Sequence, residues 1–573
     1  MEHRESPSQT QNSSTHGCRS SAAANESEEL RMLLNKAADV FSEYVARCQT
    51  DETPIVALES SGAEELAAEF AQRISVSDTG AGDKIWDEIK QVCGLATNTW
   101  SERFLYKLYA APTPIGVVSE ALVGMLNNNA HVFNASPVGV VVEAVVASKL
   151  AELANFPAKT AGGLTFPGGS YSNIHALMVA RSQRFPGLKA KGAAALGGKR
   201  PVVFTSQHAH YSIEKAAIAA GVGLDNVVHV PVDGKGRMDA AALRRLVERE
   251  EASDGAPFFV NATAGTTVLG AFDPLAEIAS VCEDHGLWLH VDASWGGPLA
   301  LFADRSVFAY DIPHARVHSL TINPHKLLGI PLQCSVLLVR DGLRVMKEAL
   351  GLNASYLFHD DDDDDDAGQE ANSEAALWLG RVGGSWDVGD ATLGCGRRPD
   401  AIKMWVTWRY YGSQYFSDRV NSARSAAVAF AQLLRTRNEA EPTGGFWWLL
   451  AAPESTCVCF WYVPRAIYSD DIADFEAVRQ RALCAPPSDD IFAQEYDPKW
   501  GHATRALFGR LNALSSKVLV DYAQLDAAAP DSRKKVCKVP AFFRIPFNNP
   551  SITTSTMASV LDAIESAALD LYC

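Results

Sequence analysis

The sequence has no long apolar run, no paired-cysteine motif and no basic cluster. No segment reaches the roughly 18 consecutive apolar residues that a membrane-spanning helix needs, so we expect no membrane partner. The eleven cysteines are scattered without a CxxC pair, which is typical of a reducing compartment and not of a disulfide scaffold. Because Lys and Arg form no cluster and the formal net charge is −17, the composition argues against nucleic acid as a partner.

The amino-terminal region lacks the apolar core of a signal peptide. Residues 1–28 are rich in Ser, Asn, Gln and Ala and contain several glutamates, so we expect a disordered tail and a cytoplasmic protein. Apolar residues at helical spacing between Leu30 and Cys48 predict an amphipathic helix. That helix opens an N-terminal helical segment, residues 29–114.

The rest of the chain has the pattern of two α/β domains. Short β-rich runs alternate with helical stretches, which predicts a large domain with a mostly parallel central sheet over 115–395 and a smaller C-terminal domain over 396–573. The predicted strands of the large domain are 201–204, 227–230, 258–260, 287–291, 319–322 and 335–339.

Two further segments favour a structural over a metal-binding interpretation. The seven aspartates Asp360–Asp366 repel one another and lack the glycine turn of a calcium loop, so the acidic stretch 359–375 is predicted to be a solvated insertion. Cys457 and Cys459 belong to an apolar run that is typical of a buried strand. We therefore expect no metal site.

An acid and an amine follow two of the predicted strands. Asp292 comes after the run 287–291, and Lys326 comes shortly after 319–322, in Asn-Pro-His-Lys. Ligands of parallel sheets bind at the carboxyl ends of the strands, so the two side chains can face one small molecule. Pyridoxal phosphate needs this pair, because a lysine holds its aldehyde as a Schiff base and an acid keeps its pyridine nitrogen protonated.

Other polar residues are predicted to lie at the same sheet edge. The small residues of Phe166–Asn173 precede a helix, where backbone N–H groups can bind a phosphate, and no Walker-type GxxxxGK is present. His210 follows the strand 201–204, and Thr266 follows 258–260. Each signal alone is weak, since a lone histidine, for example, is more often structural. Four strand ends converge on one place, and this convergence favours a binding site more than any single motif does.

These motifs resemble the group II pyridoxal-phosphate decarboxylases, within the animal-type branch that acts on glutamate, cysteine sulfinate or aspartate. The resemblance covers about residue 100 to the C-terminus and is carried by Phe166–Asn173, His208–Lys215, Asn261–Pro274, His290–Gly297 and Asn323–Ser335. It implies a fold-type I enzyme, similar to aspartate aminotransferase. It also implies a homodimer with active sites at the subunit interface.

The resemblance also implies a role for each matching residue. Lys326 would be the Schiff-base lysine, Asp292 the pyridinium partner, and His210 and Ala293 would lie on opposite faces of the ring. The substrate carboxylate would be bound by Arg544, with Lys107 and Tyr109 at the distal end of the substrate. The phosphate shell would consist of Gly169, Ser170, Tyr171, Ser172, Thr266 and Asn323.

Two departures from the family pattern bear on the activity. The family's mobile catalytic loop, expected here up to Asp390, has a tyrosine as proton donor, but this chain has no tyrosine between Tyr356 and Tyr410. Lys107 and Tyr109 stand where the glutamate enzymes have glutamine and serine. A second positive charge and a bulkier ring favour a shorter dianionic acid, so we expect α-decarboxylation of L-aspartate to β-alanine, then of cysteine sulfinate to hypotaurine or glutamate to 4-aminobutanoate.

Two other function classes stay open at this point. The missing tyrosine is compatible with an aminotransferase or an oxidative aldehyde-forming enzyme on the same fold. A non-catalytic binding protein is the third class, and the intact Asp292 and Lys326 pair argues against it.

Overall fold

The structure is a computed structural model that describes residues 16–50, 53–56, 62–73, 80–303, 316–358, 386–439, 444–468, 472–484, 489–513, 518–528 and 535–572. The aspartate run Asp360–Asp366 and most of the predicted catalytic loop lie outside these residues. The chain divides into two compact units. The first comprises residues 1–101 and 515–517, and the second comprises residues 102–514 and 518–573.

The first unit is helical. Its helices are α1 (His16–Cys48), α2 (Ala63–Gln72) and α3 (Ile85–Leu95), with a short 3-10 turn at Gly82–Lys84. Helix α1 begins within the stretch that was predicted to be a disordered tail, because Ala and Glu, which are common there, are strong helix formers. Asn98 Nδ2 donates to Cys48 O at 2.8 Å, which ties the end of α1 to the end of this unit.

A seven-stranded, mostly parallel sheet forms the centre of the second unit and confirms the predicted α/β fold. Its order is β2-β8-β7-β6-β5-β3-β4, and only the pairings of β8 with β2 and β7 are antiparallel. The six strands predicted from the sequence are all present. The strands are β2 (Gly162–Phe166), β3 (Arg200–Ser206), β4 (Val227–Val230), β5 (Gly255–Thr263), β6 (Trp288–Ala293), β7 (Ser319–Ile322) and β8 (Ser335–Val339).

Helices cover both faces of this sheet, which is why its central strands are continuous apolar runs. Alternate residues point to opposite faces, so Leu289 and Val291 of β6 belong to one core cluster and Trp288 to the other. The helices on the two faces are α5 (Pro137–Leu153), α9 (Ala240–Glu251), α10 (Leu275–His285) and α11 (Gly297–Phe302) on one side, and α6 (Gly169–Arg184), α8 (Ser212–Ala219) and α12 (Gly342–Leu350) on the other. The remaining helices before residue 350 are α4 (Pro114–Leu126) and the short α7 (Leu188–Lys191).

A five-stranded sheet forms a second layer of the same unit, in the order β1-β11-β12-β10-β9. Cys457 and Cys459 are buried in its strand β10, as predicted. Its first strand, β1, pairs in parallel with β11, although it comes from residues that the sequence assigned to the N-terminal segment. The strands are β1 (Phe104–Leu105), β9 (Gly445–Leu449), β10 (Cys457–Pro464), β11 (Leu519–Ala528) and β12 (Lys535–Pro546).

One long helix connects the cores of the two sheets. Helix α13 (Ala401–Glu439) contributes Met404 to the core of the large sheet and Phe430 to that of the small one, with a break at Gly412, where φ is 79°. The other helices around the small sheet are α14 (Ile472–Cys484), α15 (Pro498–Ala513) and α16 (Thr554–Tyr572). No helix in the described part of the chain is long and apolar enough to cross a membrane.

Candidate active site

Asp292 is a buried carboxylate at the carboxyl end of β6. Its Oδ1 accepts a hydrogen bond from Ser294 N at 3.0 Å, and its Oδ2 accepts one from Asn173 Nδ2 at 2.9 Å. Burial would raise the pKa of Asp292, but the bonds from Ser294 and Asn173 and the charge of Lys326 outweigh it and lower that pKa. The acid is therefore ionised and can hold a proton on a partner nitrogen.

A chain of hydrogen bonds orients the Asn173 amide that holds Asp292. Trp288 Nε1 donates to Ser319 Oγ at 2.8 Å, and that hydroxyl lies 2.8 Å from His290 Nδ1. His290 Nε2 is 3.1 Å from Asn173 Oδ1, so Nε2 carries the proton and Nδ1 accepts from the hydroxyl. The bonds run in one direction from the indole to the carboxylate, and they fix Asp292 within the large sheet.

Lys326 lies in the turn after β7, where its N–H donates to Asn323 O at 3.0 Å. The ammonium is partly buried, and burial lowers its pKa while the charge of Asp292 opposes that effect. The charge of Arg544, on a strand of the small sheet, also acts on it. The candidate site therefore lies where the two sheets meet, with the predicted acid and amine in one electrostatic environment.

His210 belongs to the same electrostatic environment as Asp292 and Lys326. Burial lowers its pKa, and the charges of Asp292 and Lys326 both act on the ring. Its Nδ1 accepts from Ser212 N at 3.2 Å, so the neutral ring carries its proton on Nε2. The ring of His210 also packs 4.4 Å, centroid to centroid, from that of Tyr211.

The turn between β2 and α6 brings glycine backbone close to polar side chains that could bind a phosphate. Gly168 has φ 112°, and a Cβ added at Gly169 would lie 2.8 Å from both Asn323 Nδ2 and Ser294 Oγ. The first N–H groups of a helix lack carbonyl partners in that helix, so those of Gly169 and Ser170 are available to an anion. Asn323 Nδ2 can donate to the same anion, whereas its Oδ1 is a buried acceptor without a hydrogen-bond partner in the described part of the chain.

Other predicted shell residues have structural contacts. Ser172 Oγ shares a 2.7 Å hydrogen bond with Ser335 Oγ, and Thr266 Oγ accepts from Ala271 N at 3.0 Å. Tyr171 is exposed at the start of α6. Ala293 is buried, and a Cβ added at Gly297 would lie 3.2 Å from the Cβ of Ala293.

These groups fit pyridoxal phosphate. The molecule has an aldehyde, a basic ring nitrogen and a phosphate, and the site offers an amine, an ionised acid and a glycine-lined helix start. Among the described residues, no group of three or more His, Cys, Asp or Glu could hold a metal ion.

The predicted substrate-binding residues are engaged with protein atoms, and the charge of one of them, Arg544, acts on Lys326. Arg544 Nη2 bonds Asp521 Oδ2 at 2.7 Å, and Lys107 Nζ bonds the same oxygen at 3.0 Å. The Tyr109 ring is half-buried, 5.7 Å from that of Phe104. The Lys107 charge, which the sequence suggested for a substrate carboxylate, has a protein partner.

The predicted catalytic loop is described only from Trp386 onward. His131 O accepts from Val388 N at 3.1 Å and from Gly389 N at 2.7 Å. Asp390 accepts from Leu352 N at 2.8 Å and from Asn353 N at 3.1 Å, and it is buried. This end of the loop is therefore anchored to the large domain.

The sequence predicted most of the charged residues of the site but not the residues that hold them in place by hydrogen bonds. Asn173 had a visible signal, because it is the polar last residue of Phe166–Asn173 on a helix that faces the sheet. His290, Ser294 and Ser319 lie within or beside predicted strands, and a polar residue in an otherwise apolar strand is the signal that could have found them.

Burial of His290 makes stability depend on pH. Burial lowers its pKa from 6.5 to about 4, so between these values the unfolded chain binds a proton that the folded chain does not. The free energy of unfolding should therefore fall as pH is lowered from 6.5 to about 4, with His290 contributing up to about 1.4 kcal/mol per pH unit. His290→Gln should make this slope shallower, as measured by denaturant unfolding across that range. Equal slopes for the two proteins would contradict a buried neutral His290.

Comparison with known proteins identifies the family of this chain. Residues 71–463 match the family described as pyridoxal-dependent decarboxylase conserved domain. The chain is 39% identical over 401 residues to the L-aspartate decarboxylase dtxS4 of Metarhizium robertsii, covering 70% of this chain and 74% of that protein. It is 36% identical over 460 residues to the acidic amino acid decarboxylase GADL1 of Mus musculus, covering 79% and 77%.

A solved structure shares the fold over nearly the whole chain. The crystal structure of mouse CSAD in apo form superposes with a TM-score of 0.75 at 29% identity, covering 94% of this chain and 99% of that one. The predicted family, fold class and cofactor are confirmed. The chain belongs to the pyridoxal-dependent decarboxylases and is a carboxy-lyase that uses pyridoxal phosphate.

Proposed function

We propose that this enzyme removes the α-carboxyl group of L-aspartate to give β-alanine and CO2. The observation that carries the proposal is the buried guanidinium of Arg544, whose charge reaches Lys326. An arginine binds a carboxylate through its planar fork of N–H groups, so it suits an acidic amino acid. The likeness to L-aspartate decarboxylase dtxS4 supports aspartate, and cysteine sulfinate and glutamate are the alternatives.

The side chains divide the chemical task among them. Pyridoxal phosphate, when bound, supplies an aldehyde for amines and a protonated ring that takes up the electron pair of the broken C–C bond. Asp292 would keep the proton on the ring nitrogen, and Asn173 and Ser294 hold its carboxylate in place. Lys326 Nζ would be the covalent anchor, and the planar ring of His210 would hold the cofactor ring.

The remaining assignments concern the two ends of the cofactor and substrate. Gly169 and Ser170 would bind the phosphate through their N–H groups, together with the Asn323 Nδ2 amide. Ser172, Tyr171 and Thr266 would complete this shell. Ala293 would hold the cofactor ring from the side away from His210. Arg544 binds a substrate carboxylate, and Lys107 and Tyr109 border the distal end of the substrate.

Aspartate should be preferred over glutamate in direct competition. The ring of Tyr109 shortens the pocket, and one methylene in a fitted pocket is typically worth about 10- to 200-fold in kcat/KM. Both acids are supplied to the holoenzyme in one reaction, and β-alanine and 4-aminobutanoate are quantified. A higher kcat/KM for glutamate would contradict the choice of aspartate but not the reaction class.

The absence of a tyrosine between Tyr356 and Tyr410 favours a second candidate, an oxidative aldehyde-forming reaction. That reaction would consume O2 and water and release CO2, ammonia, hydrogen peroxide and an aldehyde. Product analysis separates the two reactions, because decarboxylation alone gives the amine without consuming oxygen. Aldehyde with a matching amount of peroxide would overturn β-alanine formation.

We also propose a cytoplasmic homodimer. The cysteines Cys282, Cys334, Cys457 and Cys459 are buried as free thiols, which supports a reducing compartment. Several apolar side chains of the second unit are exposed, among them Val118, Met125 and Val138, and a partner subunit would cover such a surface. Sedimentation of the holoenzyme tests the dimer.

A further inference from the structure

Asp521 is a largely buried carboxylate that joins both cations at the substrate end. It lies on β11 directly opposite Arg544 on β12, and its side chain is 14% exposed. Its Oδ2 accepts from Arg544 Nη2 at 2.7 Å and from Lys107 Nζ at 3.0 Å. Its Oδ1 accepts from Tyr522 N at 3.0 Å. One acid therefore sets the positions of two cations.

The backbone around this trio is fixed. Strand β1 pairs with β11 in the register Phe104↔Leu519 and Leu105↔Val520, just before Lys107. Asn548 Nδ2 donates to Lys107 O at 2.9 Å, which anchors the segment after β1. Asp521 and Arg544 are thus held on the adjacent strands β11 and β12, and Lys107 is held on the segment that follows β1. Their spacing follows from the register of these three strands.

The guanidinium of Arg544 is held by three hydrogen bonds and has one N–H donor that is not paired within the described part of the chain. Its side chain is 7% exposed, and it donates to Thr267 O at 2.9 Å and to Tyr106 O at 3.2 Å as well as to Asp521. The Nε is buried and has no hydrogen-bond partner among the described residues. An unpaired buried donor costs free energy, so this N–H is suited to a bound carboxylate.

The second cation is held by the same acid. Lys107 Nζ lies 3.8 Å from the centroid of the Tyr106 ring in addition to its bond with Asp521. With one acid and two bases, the trio carries one net positive charge. A substrate carboxylate would therefore meet a single oriented arginine and not two independent cations.

We propose that Asp521 is a positioning residue for substrate binding. Its Oδ2 fixes the guanidinium of Arg544 so that the Nε–H receives the substrate carboxylate, and the same oxygen retains the Lys107 ammonium. The inference rests on the proposed function, because it gives Arg544 a carboxylate to bind.

Asp521→Asn should weaken substrate binding more than turnover. Loss of a charge-assisted hydrogen bond corresponds to a rise in KM of about 10- to 100-fold, with kcat changed by less than about threefold. The amino acid that the wild-type holoenzyme decarboxylates fastest is used. The Kd of its α-methyl analogue, from the visible absorption change of the holoenzyme, should rise by the same factor. Asp521→Ala should raise KM further, since Asn keeps one acceptor.

The control is Asp284→Asn, which breaks a comparable ion pair away from the site. Asp284 Oδ2 bonds Arg244 Nη2 at 2.7 Å on the surface, and this variant should keep the wild-type KM. An unchanged KM in Asp521→Asn, with or without a lower Tm, would overturn the proposal, and so would a lower KM, which would mean that Asp521 repels the substrate. If Asp521→Asn does not fold, Asp521→Glu displaces the carboxylate by one methylene and should raise KM as well.

The proposed substrate and the proposed role of Asp521 can be refuted independently. A wild-type enzyme that decarboxylates only non-acidic amino acids would refute the proposed substrate. The ratio of variant to wild-type KM on its best substrate would still decide the role of Asp521.

Discussion

Lys326→Ala is expected to give a folded protein without activity and without the visible absorption band of lysine-bound cofactor. The amine is the proposed covalent anchor of pyridoxal phosphate, and its charge interacts with that of Asp292. The side chain is only partly buried, so its removal should cost little stability. The measurements are the visible spectrum, CO2 release and the Tm of the purified protein.

The control for this variant is Lys199→Ala, because Lys199 is exposed on the surface of the same unit. It should keep the spectrum and rate of the wild type. Decarboxylation by Lys326→Ala at the wild-type rate would show that the site has been assigned to the wrong lysine.

Asp292→Asn is expected to keep bound cofactor but lose most of the rate. The carboxylate is ionised in the folded protein. Under the proposed assignment it would hold the ring nitrogen in its protonated form, whereas an amide could not. Removal of one such electrostatic group typically lowers kcat by about 10²- to 10³-fold. The test is kcat per molecule of bound cofactor, with the cofactor released and quantified.

The control is Asp273→Asn, which changes a buried carboxylate outside the site. It separates the loss of kcat expected for Asp292→Asn from the loss of stability that follows the change of any buried carboxylate. Asp273 accepts from Met238 N and Thr263 N, each at 2.7 Å, and burial raises its pKa to about 7. Asp273→Asn should lower the Tm but keep kcat per bound cofactor. Equal losses of kcat in the two variants would count against the role of Asp292.

The sequence predicted the large sheet because its signals are local. Strands β6 and β7 are buried on both faces, so each is a short apolar run bounded by polar residues. Asp292 and Lys326 are found where such runs end, and parallel pairing brings these ends together. The presence of these strands, and the positions of Asp292 and Lys326 at their ends, could therefore be predicted from the sequence.

Contacts between residues far apart in the sequence could not be predicted from it. Asn173 meets Asp292 across 119 positions, and Lys107 meets Asp521 across 414. Such contacts depend on strand register and on which way a helix face turns. Neither quantity is present in a local pattern of apolar residues.

The sequence by itself determined the α/β class and the acid and amine that point to the cofactor, because these follow from residue identity and short-range periodicity. The reaction type followed from the resemblance of its motifs to a known family. The tertiary structure decided how the charges are distributed. Lys107 was expected to add a positive charge for the substrate, but β1 pairs beside β11 and gives that charge to Asp521. Close packing of strands from distant parts of the chain thus determines which cation stays available to a substrate.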